Sequence, residues 1–308
     1  MHYSMKKATD LLGLGVQGLV TVPFDNNYRV RVDLLAQKVE ELKASGACVV
    51  AIVGVAGATE TGSIDDLDAL ANIAQEHGIH FHVDGAWGAP GLFSQDMRKA
   101  MTGIERADSV TVDGHKQLFV PMGSGVLLLK DPECCRFVAK TASYIIRKGS
   151  MDAGRFTLEG SRPGNAIYMH ANMKCIGSAG FEMIVNRTSR MCRHMAHTLE
   201  ATGIFEVVLQ PQMNILLYRF VPQNLRHKVF GGATLTEKEY EALDGANVWL
   251  QETQKSDGRT FVSRTTVFDP RHGRHLVSLR VVIGNPLTDE SDIDAVISDQ
   301  FLILEAAR

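Results

Sequence analysis

The stretch SVTVDGHKQLFVPMG, residues 109 to 123, decides the fold and points to the chemistry. Val110, Val112 and Leu118 are typical of a buried sheet, yet the centre of the stretch carries Asp113-Gly114-His115-Lys116. Lysine is rarely buried unless it has a partner or a chemical task. The stretch therefore predicts a strand that delivers Lys116 to a functional site.

The segments around this stretch alternate between apolar runs and amphipathic helices. Strands are predicted over 19–24, 47–57, 79–88, 108–115 and 123–130. Helices are predicted over 33–46 and 63–78, the second with a capping box formed by Ser63 and Asp66. Strands of continuous apolar character that are separated by helices indicate a mostly parallel sheet covered on both faces, which is an α/β fold.

The second half of the chain has a different order of elements. A long helix is predicted over about 165–203, followed by a strand–strand–helix–strand–strand–helix pattern. This order is typical of a small α+β domain. We predict a large domain over 1–180 and a small C-terminal domain over 181–308.

Composition excludes several classes of protein. Of the 308 residues, 45% are hydrophobic and 22% charged, and the net charge of −3 gives no basic surplus for nucleic acid or an anionic membrane. The apolar runs are too short for a membrane helix, and the polar start MHYSMKKATD does not resemble a signal peptide. The five cysteines include no CxxC pair, which favours reduced thiols and a cytoplasmic location.

Polar residues follow three of the predicted strands. They lie in the segments 57–62 (GATETG), 84–88 (DGAWG) and 113–116 (DGHK). In an open α/β sheet, ligands bind at the carboxyl ends of the strands. Small residues beside polar ones let a ligand approach the backbone closely, so the three segments are predicted to form one site.

One cofactor chemistry needs this set of residues. A lysine amine can form a Schiff base with an aldehyde cofactor, and pyridoxal 5'-phosphate (PLP) also needs a carboxylate at its pyridine nitrogen. Lys116 is the candidate for the first task and Asp84 for the second. His115 is a candidate for the phosphate, and Ala86 points to the same side as Asp84 and is a candidate to pack on the ring.

Two alternatives remain open on spacing alone. Asp84 can be an ordinary strand-end cap, and Lys116 can extend from a loop into solvent. The second alternative is a metal-dependent hydrolase, because His80, His82 and Asp84 alternate along one strand and can face a Zn²⁺ ion together.

Five ordered motifs resemble the group II PLP-dependent amino acid decarboxylases, the glutamate and aspartate decarboxylase-like enzymes. In this chain the motifs are HYSMKKA (2–8), GATETGSID (57–65), HVDGAWG (82–88), DSVTVDGHK (108–116) and SLRVVIGNP (278–286). The resemblance covers essentially the whole chain, and the pairing of HVDGAWG with the HK dipeptide is specific. It implies fold type I, the aspartate aminotransferase-like PLP-dependent transferase fold, with a small C-terminal domain.

The resemblance also implies roles for single residues. Lys116 would carry the cofactor, Asp84 would pair with the pyridine nitrogen and Ala86 would lie under the ring. His2 would stack on the other ring face, and His115 would bind the phosphate. Thr59 would contact the cofactor, and Arg280 would bind a substrate carboxylate.

The family resemblance further implies a homodimeric carboxy-lyase that acts on a small-molecule amino acid. The stretches 113–125 and 144–164 resemble bacterial aspartate or glutamate decarboxylases most, which favours an acidic substrate. A second cationic contact is then expected, with four candidates: Arg147, Lys148, Arg155 and Arg162.

Three departures from the family pattern stand out. The chain begins at the HYS motif, so the family's preceding Gly-rich phosphate segment and dimerising segment are expected to be missing by truncation, which makes a catalytically incomplete remnant the alternative function. Asp113 stands where many members carry asparagine near the phosphate. The stretch 147–160 contains no tyrosine that would supply the family's mobile proton donor.

Overall fold

A computed structural model describes residues 1–147 and 149–307. The helices are α1 (Ser4–Leu11), α2 (Val32–Ala44), α3 (Leu67–His77), α4 (Gln95–Ala100), α5 (Ala166–Ala201), α6 (Arg226–Phe230), α7 (Glu237–Asp257) and α8 (Glu290–Ala306). The strands are β1 (Ala51–Val55), β2 (His80–Asp84), β3 (Ser109–Asp113), β4 (Gly125–Leu129), β5 (Phe205–Leu209), β6 (Ile215–Phe220), β7 (Ser263–Asp269) and β8 (Arg274–Val282). Within these ranges no helix combines the length and the apolar character needed to cross a bilayer.

The first four strands form one sheet in the order β1-β2-β3-β4. β1, β2 and β3 are parallel, and β4 returns antiparallel to β3. The register places Val55 beside Asp84 and Asp84 beside Thr111. The carboxyl ends of the three parallel strands therefore meet at one edge, and the expected mostly parallel α/β sheet is confirmed.

Only one face of this sheet is fully covered. Ile52, Phe81 and Val83 pack against Leu67 and Leu70 of α3 in the main apolar cluster. On the opposite face β1 remains accessible, and Val53 is 37% exposed. The expectation that β1 is buried on both faces is wrong, because no described element covers its second face.

The last four strands form a separate antiparallel sheet in the order β5-β6-β8-β7. Apolar side chains of α5 and α8 cover it, and its core contains Leu199, Leu216, Leu279 and Ile297. The predicted α+β arrangement of the second half is confirmed.

Helix α5 joins the two halves and is kinked at Gly177, which has a positive φ of 68°. A non-glycine residue would be strained in this conformation. After the kink, Val185 packs into the first core, whereas Met195 and Leu199 pack into the second. The division at residue 180 falls just after the kink and stays a prediction.

Two local predictions are wrong. The segment 19–24 forms no strand and makes only an isolated bridge between Phe24 and Val30, since no neighbouring strand pairs with it among the described residues. Helix α3 begins at Leu67 and is capped by Asp66, whose side chain accepts the amide hydrogen of Ala69. Ser63 lies outside the helix, and its hydroxyl donates to the carbonyl of Tyr28 at 2.9 Å.

Helix α1 buries none of its residues. The side chain of Leu11 is 88% exposed, and that of Leu12, just beyond the helix, is 74% exposed. The helix is formed by local hydrogen bonds, and tertiary packing contributes little to its stability.

Gly88 lies where the turn after β2 meets the end of β1. Its amide donates to the carbonyl of Ala56 at 3.0 Å, and a Cβ at this position would lie 2.2 Å from the same oxygen. We expect Gly88→Ala to lower the free energy of unfolding by about 2 kcal/mol, because the backbone must move to relieve the clash. Urea unfolding measures this change.

Gly245→Ala is the matched control for the Gly88 substitution. Gly245 lies inside α7 with open space around it, so alanine should raise the stability by about 0.5–1 kcal/mol. Equal effects of the two substitutions would contradict the steric argument.

Candidate active site

Two carboxylates end neighbouring strands at the same edge of the first sheet. Asp84 is the last residue of β2, and Asp113 is the last residue of β3. The Oδ1 atom of Asp84 accepts the amide hydrogen of Ala86 at 3.2 Å. Within the described residues its Oδ2 atom accepts no hydrogen bond, so it is available to a ligand.

Lys116 lies in the turn that follows β3. Its Nζ atom is 2.9 Å from Oδ2 of Asp113, and the two side chains are 27% and 23% exposed. An opposite charge at this distance explains how the strand end tolerates a lysine that is largely removed from water. The predicted partner of Lys116 is a cofactor, whereas its partner in this structure is Asp113.

A cavity of about 300 Å³ opens beside Lys116. The residues that line it come from both halves of the chain: Trp87, His115, Lys116, Gln117, Phe119, Ile184, Thr188, Asn214 and Gly284. Nδ1 of His115 is buried and has no hydrogen-bond partner among the described residues. A polar atom left unsatisfied beside a cavity is suited to meet a polar ligand group.

Hydrogen bonds fix the walls of this cavity. The indole Nε1 of Trp87 donates to Oδ1 of Asn214 at 3.0 Å, and Nε2 of Gln117 donates to the carbonyl of Trp87 at 2.6 Å. Asn214 in turn donates from Nδ2 to the carbonyl of Ile283 at 2.9 Å. The turn after β2 is thereby tied to the strands of the second sheet.

Sequence reasoning gave no role to Trp87, Gln117 and Asn214. Trp87 stands inside the HVDGAWG motif, and this position indicates that it lies near the site. Asn214 directly precedes the apolar strand β6, where a polar residue that is only 1% exposed needs a partner. Nothing in the sequence shows that this partner is Trp87, 127 residues away.

Arg280 and Thr59 are brought together at the edge of the site. The Arg280 guanidinium donates from Nε and Nη2 to the carbonyl of Thr59 at 3.1 and 2.5 Å, and from Nε to the carbonyl of Glu60 at 3.3 Å. Burial lowers the pKa of the Arg280 guanidinium. The arginine thus connects β8 to the loop after β1, and its predicted contact with a substrate carboxylate stays a prediction.

The contacts that the structure gives His2 are local. Its Nδ1 atom lies 2.8 Å from the hydroxyl of Ser4, and its ring centroid is 4.3 Å from that of Tyr3. Within the described residues, His2 does not line the cavity beside Lys116. Its ring-stacking role, like that of Ala86, stays a prediction.

The two histidines of the metal hypothesis share a serine. Nε2 of His80 and Nδ1 of His82 lie 2.7 and 2.8 Å from the hydroxyl of Ser109. Burial lowers the pKa of the His82 imidazole. In the part of the chain that the structure describes, no group of three His, Cys, Asp or Glu residues is placed to hold a metal ion, so the zinc hypothesis lacks a third ligand.

The candidates for a second cationic contact lie in the segment 147–162. Arg147 and Arg162 are exposed, and the Arg155 guanidinium lies 4.5 Å from the ring centroid of Phe156. Lys148 lies outside the described residues. The choice among them stays a prediction.

Comparisons with known proteins agree with this geometry. Residues 1–221 match the family described as the pyridoxal-dependent decarboxylase conserved domain. The chain is 44% identical over 305 residues to an aspartate 1-decarboxylase of Aliivibrio fischeri, and 31% identical over 232 residues to an acidic amino acid decarboxylase of Bos taurus. These alignments cover 97% and 73% of this chain, but 55% and 44% of the respective relatives.

A solved structure shows the same fold. The crystal structure of mouse CSAD in apo form superposes with a TM-score of 0.88 at 27% identity, over 98% of this chain and 62% of that chain. The chain spans about half the length of the curated relatives that it matches. The family match, the fold and the arrangement of Asp84 and Lys116 agree, and the chain belongs to the pyridoxal-dependent decarboxylase family.

Proposed function

We propose that this chain is part of a PLP-dependent carboxy-lyase that removes CO₂ from an acidic L-amino acid, with L-aspartate as the preferred substrate. The observation that carries the proposal is the placement of Lys116 beside a cavity, with Asp84 at the end of the neighbouring parallel strand. The 44% identity to an aspartate 1-decarboxylase supports the choice of substrate.

The residues at this edge of the sheet fit PLP. Lys116 supplies an amine that can hold an aldehyde, and Oδ2 of Asp84 is available to a pyridine nitrogen. The unpartnered Nδ1 of His115 can meet a phosphate oxygen. The aldehyde, the pyridine nitrogen and the phosphate of the cofactor therefore each have a complementary group among the described residues.

When bound, PLP supplies an electron sink for the negative charge that a departing carboxylate leaves at Cα. The Asp84 carboxylate would hold a proton at the pyridine nitrogen, since an anion next to that nitrogen favours its cationic form. Lys116 would hold the cofactor through its aldehyde group. Trp87, held by Asn214, limits the access of water to this side of the cavity.

Arg280 is the proposed contact for a substrate carboxylate. A guanidinium presents a planar fork that matches a carboxylate with two hydrogen bonds. In this structure the fork is directed at the carbonyl oxygens of Thr59 and Glu60. Substrate binding would exchange these neutral acceptors for a charged one, which forms stronger hydrogen bonds.

The test is the release of CO₂ from a set of amino acids by the purified protein with added PLP. The set contains L-aspartate, L-glutamate, L-cysteine sulfinate and, as a cationic control of similar size, L-2,4-diaminobutyrate. We expect the three acidic amino acids to be converted and aspartate to give the highest kcat/KM, with β-alanine as its product. Discrimination against diaminobutyrate should be strong, because its side-chain ammonium group would face the second cationic contact that an acidic substrate requires.

Two results would contradict this proposal. Conversion of diaminobutyrate at the same rate as aspartate would contradict the assignment of an acidic substrate. Covalent attachment of PLP without CO₂ release from any amino acid would favour the remnant, a protein that keeps the cofactor site but lacks the reaction.

The same proposal includes a homodimer, a cytoplasmic location and domains over 1–180 and 181–308. Exposed apolar side chains on α1 and β4, including Leu11, Leu127 and Leu128, support an association surface for the homodimer.

All five cysteines are free thiols, which supports a reducing compartment and so the cytoplasmic location. The kink of α5 at Gly177 supports the domain division.

A further inference from the structure

Asp113 is the nearest charged neighbour of the proposed cofactor lysine, and the proposed function gives it no role. It ends β3, and the turn that follows is closed by the amide of Lys116, which donates to the carbonyl of Asp113 at 3.4 Å. The turn brings Nζ of Lys116 to 2.9 Å from Oδ2 of Asp113. Backbone and side chain therefore hold the lysine in one place.

The same carboxylate oxygen faces a second nitrogen. Nε2 of His115 lies 3.8 Å from Oδ2 of Asp113, which is beyond an ordinary hydrogen bond. The interaction with Lys116 is shorter by almost 1 Å, since the two distances are 2.9 and 3.8 Å. Asp113 is thus primarily the partner of Lys116.

We propose that Asp113 is a positioning residue that holds Lys116 in a salt bridge and thereby slows covalent attachment of the cofactor. This inference rests on the proposed function, which makes Lys116 the attachment site. Attachment joins Nζ to the aldehyde carbon, and the carbonyl oxygen leaves as water. Before this, the ammonium group must leave Asp113 and release one proton to solvent, because only the free amine has a lone pair for the new bond.

Asparagine in place of Asp113 keeps the shape of the side chain but removes its charge. A neutral amide holds an ammonium group less firmly than a carboxylate does. We therefore expect Asp113→Asn to attach PLP roughly fivefold faster, a modest factor because about a quarter of each side chain is exposed and water screens the pair.

The competing mechanism is that Asp113 repels the phosphate group of the cofactor. Pyridoxal, which has the aldehyde but lacks the phosphate, separates the two mechanisms. If Asp113 acts on Lys116, the substitution accelerates the attachment of pyridoxal and of PLP by similar factors. If it acts on the phosphate, only the attachment of PLP changes.

The experiment mixes cofactor-free wild-type protein and Asp113→Asn with each aldehyde in a stopped-flow instrument. The absorbance of the attached aldehyde reports the rate, together with the tryptophan fluorescence, to which Trp87 in the same cavity contributes. Glu133→Gln is the matched control, because it removes one negative charge from an exposed position outside the site. Equal thermal unfolding of the three proteins shows that the fold is kept.

A second measurement needs no cofactor. Cofactor-free proteins are treated briefly with an amine-acylating reagent, and the labelling of Lys116 relative to Lys130 is measured by mass spectrometry. We expect the relative labelling of Lys116 to rise in Asp113→Asn and to stay unchanged in Glu133→Gln. This result separates the inference from the proposed function, because it holds even for a protein that binds no PLP.

Two outcomes would overturn the inference: attachment and labelling rates that are the same in Asp113→Asn and the wild type, or an acceleration restricted to PLP. If neither PLP nor pyridoxal attaches to any of the proteins, that result would instead contradict the proposed function. The labelling ratio would then decide alone whether Asp113 holds Lys116.

Discussion

Replacing Lys116 by alanine should abolish the covalent attachment of PLP. The lysine amine is the only group of this side chain that can bond to an aldehyde, and Nζ of Lys116 lies beside the cavity at the end of β3. The wild-type protein, incubated with PLP and reduced with borohydride, should carry one pyridoxyl group on the peptide that contains Lys116. The alanine variant should carry none, and its CO₂ release should fall to the background rate.

Two further variants separate chemistry from folding. Lys116→Arg keeps a cation beside Asp113 and so preserves the ion pair that the structure shows, but its guanidinium does not bond to the aldehyde under these conditions. Like the alanine variant, Lys116→Arg should carry no pyridoxyl group after reduction. Lys130→Ala, directly after the end of β4, should attach PLP normally. A stoichiometric pyridoxyl group on a lysine other than Lys116 in the wild type would refute the assignment.

Replacing Asp84 by asparagine should leave attachment intact and remove most of the decarboxylation rate. The amide is close in size to the carboxylate but does not stabilise a proton on the pyridine nitrogen. Removing one group that stabilises developing charge in a transition state typically costs about 2.7–4 kcal/mol. A loss of roughly a thousandfold in kcat is therefore expected, since each factor of ten corresponds to about 1.4 kcal/mol.

The measurement for Asp84→Asn combines steady-state kinetics with the borohydride assay. Retained attachment shows that the variant is folded and binds the cofactor, so the lost rate belongs to the reaction itself. The spectrum of the attached cofactor should also change, because the charge on its ring nitrogen differs. A variant that keeps more than half of the wild-type kcat would contradict the role of Asp84.

The elements that sequence predicted well are those with strong periodic patterns. β2 and β3 were recognised because apolar residues precede their polar ends, and the parallel register then places Asp84 and Asp113 at one edge. The long helix α5 and the antiparallel second sheet also follow from pattern and order. These predictions depend on local sequence and on general rules of sheet topology.

The predictions that failed depend on tertiary partners. The segment 19–24 has the composition of a strand, but strand formation needs a neighbour to accept its hydrogen bonds. Ser63 has the side chain of a helix cap, but its hydroxyl is used by Tyr28, and the helix begins later at Leu67. Composition alone does not identify which partner a side chain or a strand finds.

Part of the site could likewise not be predicted from the sequence. The link between Trp87 and Asn214 joins residues from different halves of the chain. The salt bridge between Asp113 and Lys116 is local, but the sequence does not show which partner the Asp113 carboxylate takes. Long-range contacts and side-chain directions are set by packing, which a single sequence does not display.

Helix α1 has a thermodynamic consequence for the active site. A helix of eight residues is marginal in water by itself, and this one gains no stability from a buried side chain. The predicted place of His2 over the cofactor therefore requires the segment to become ordered against another surface. If His2 stacks on the cofactor, the free energy of that ordering is subtracted from the free energy of binding, and the cofactor affinity then depends on the coil-to-helix equilibrium of α1.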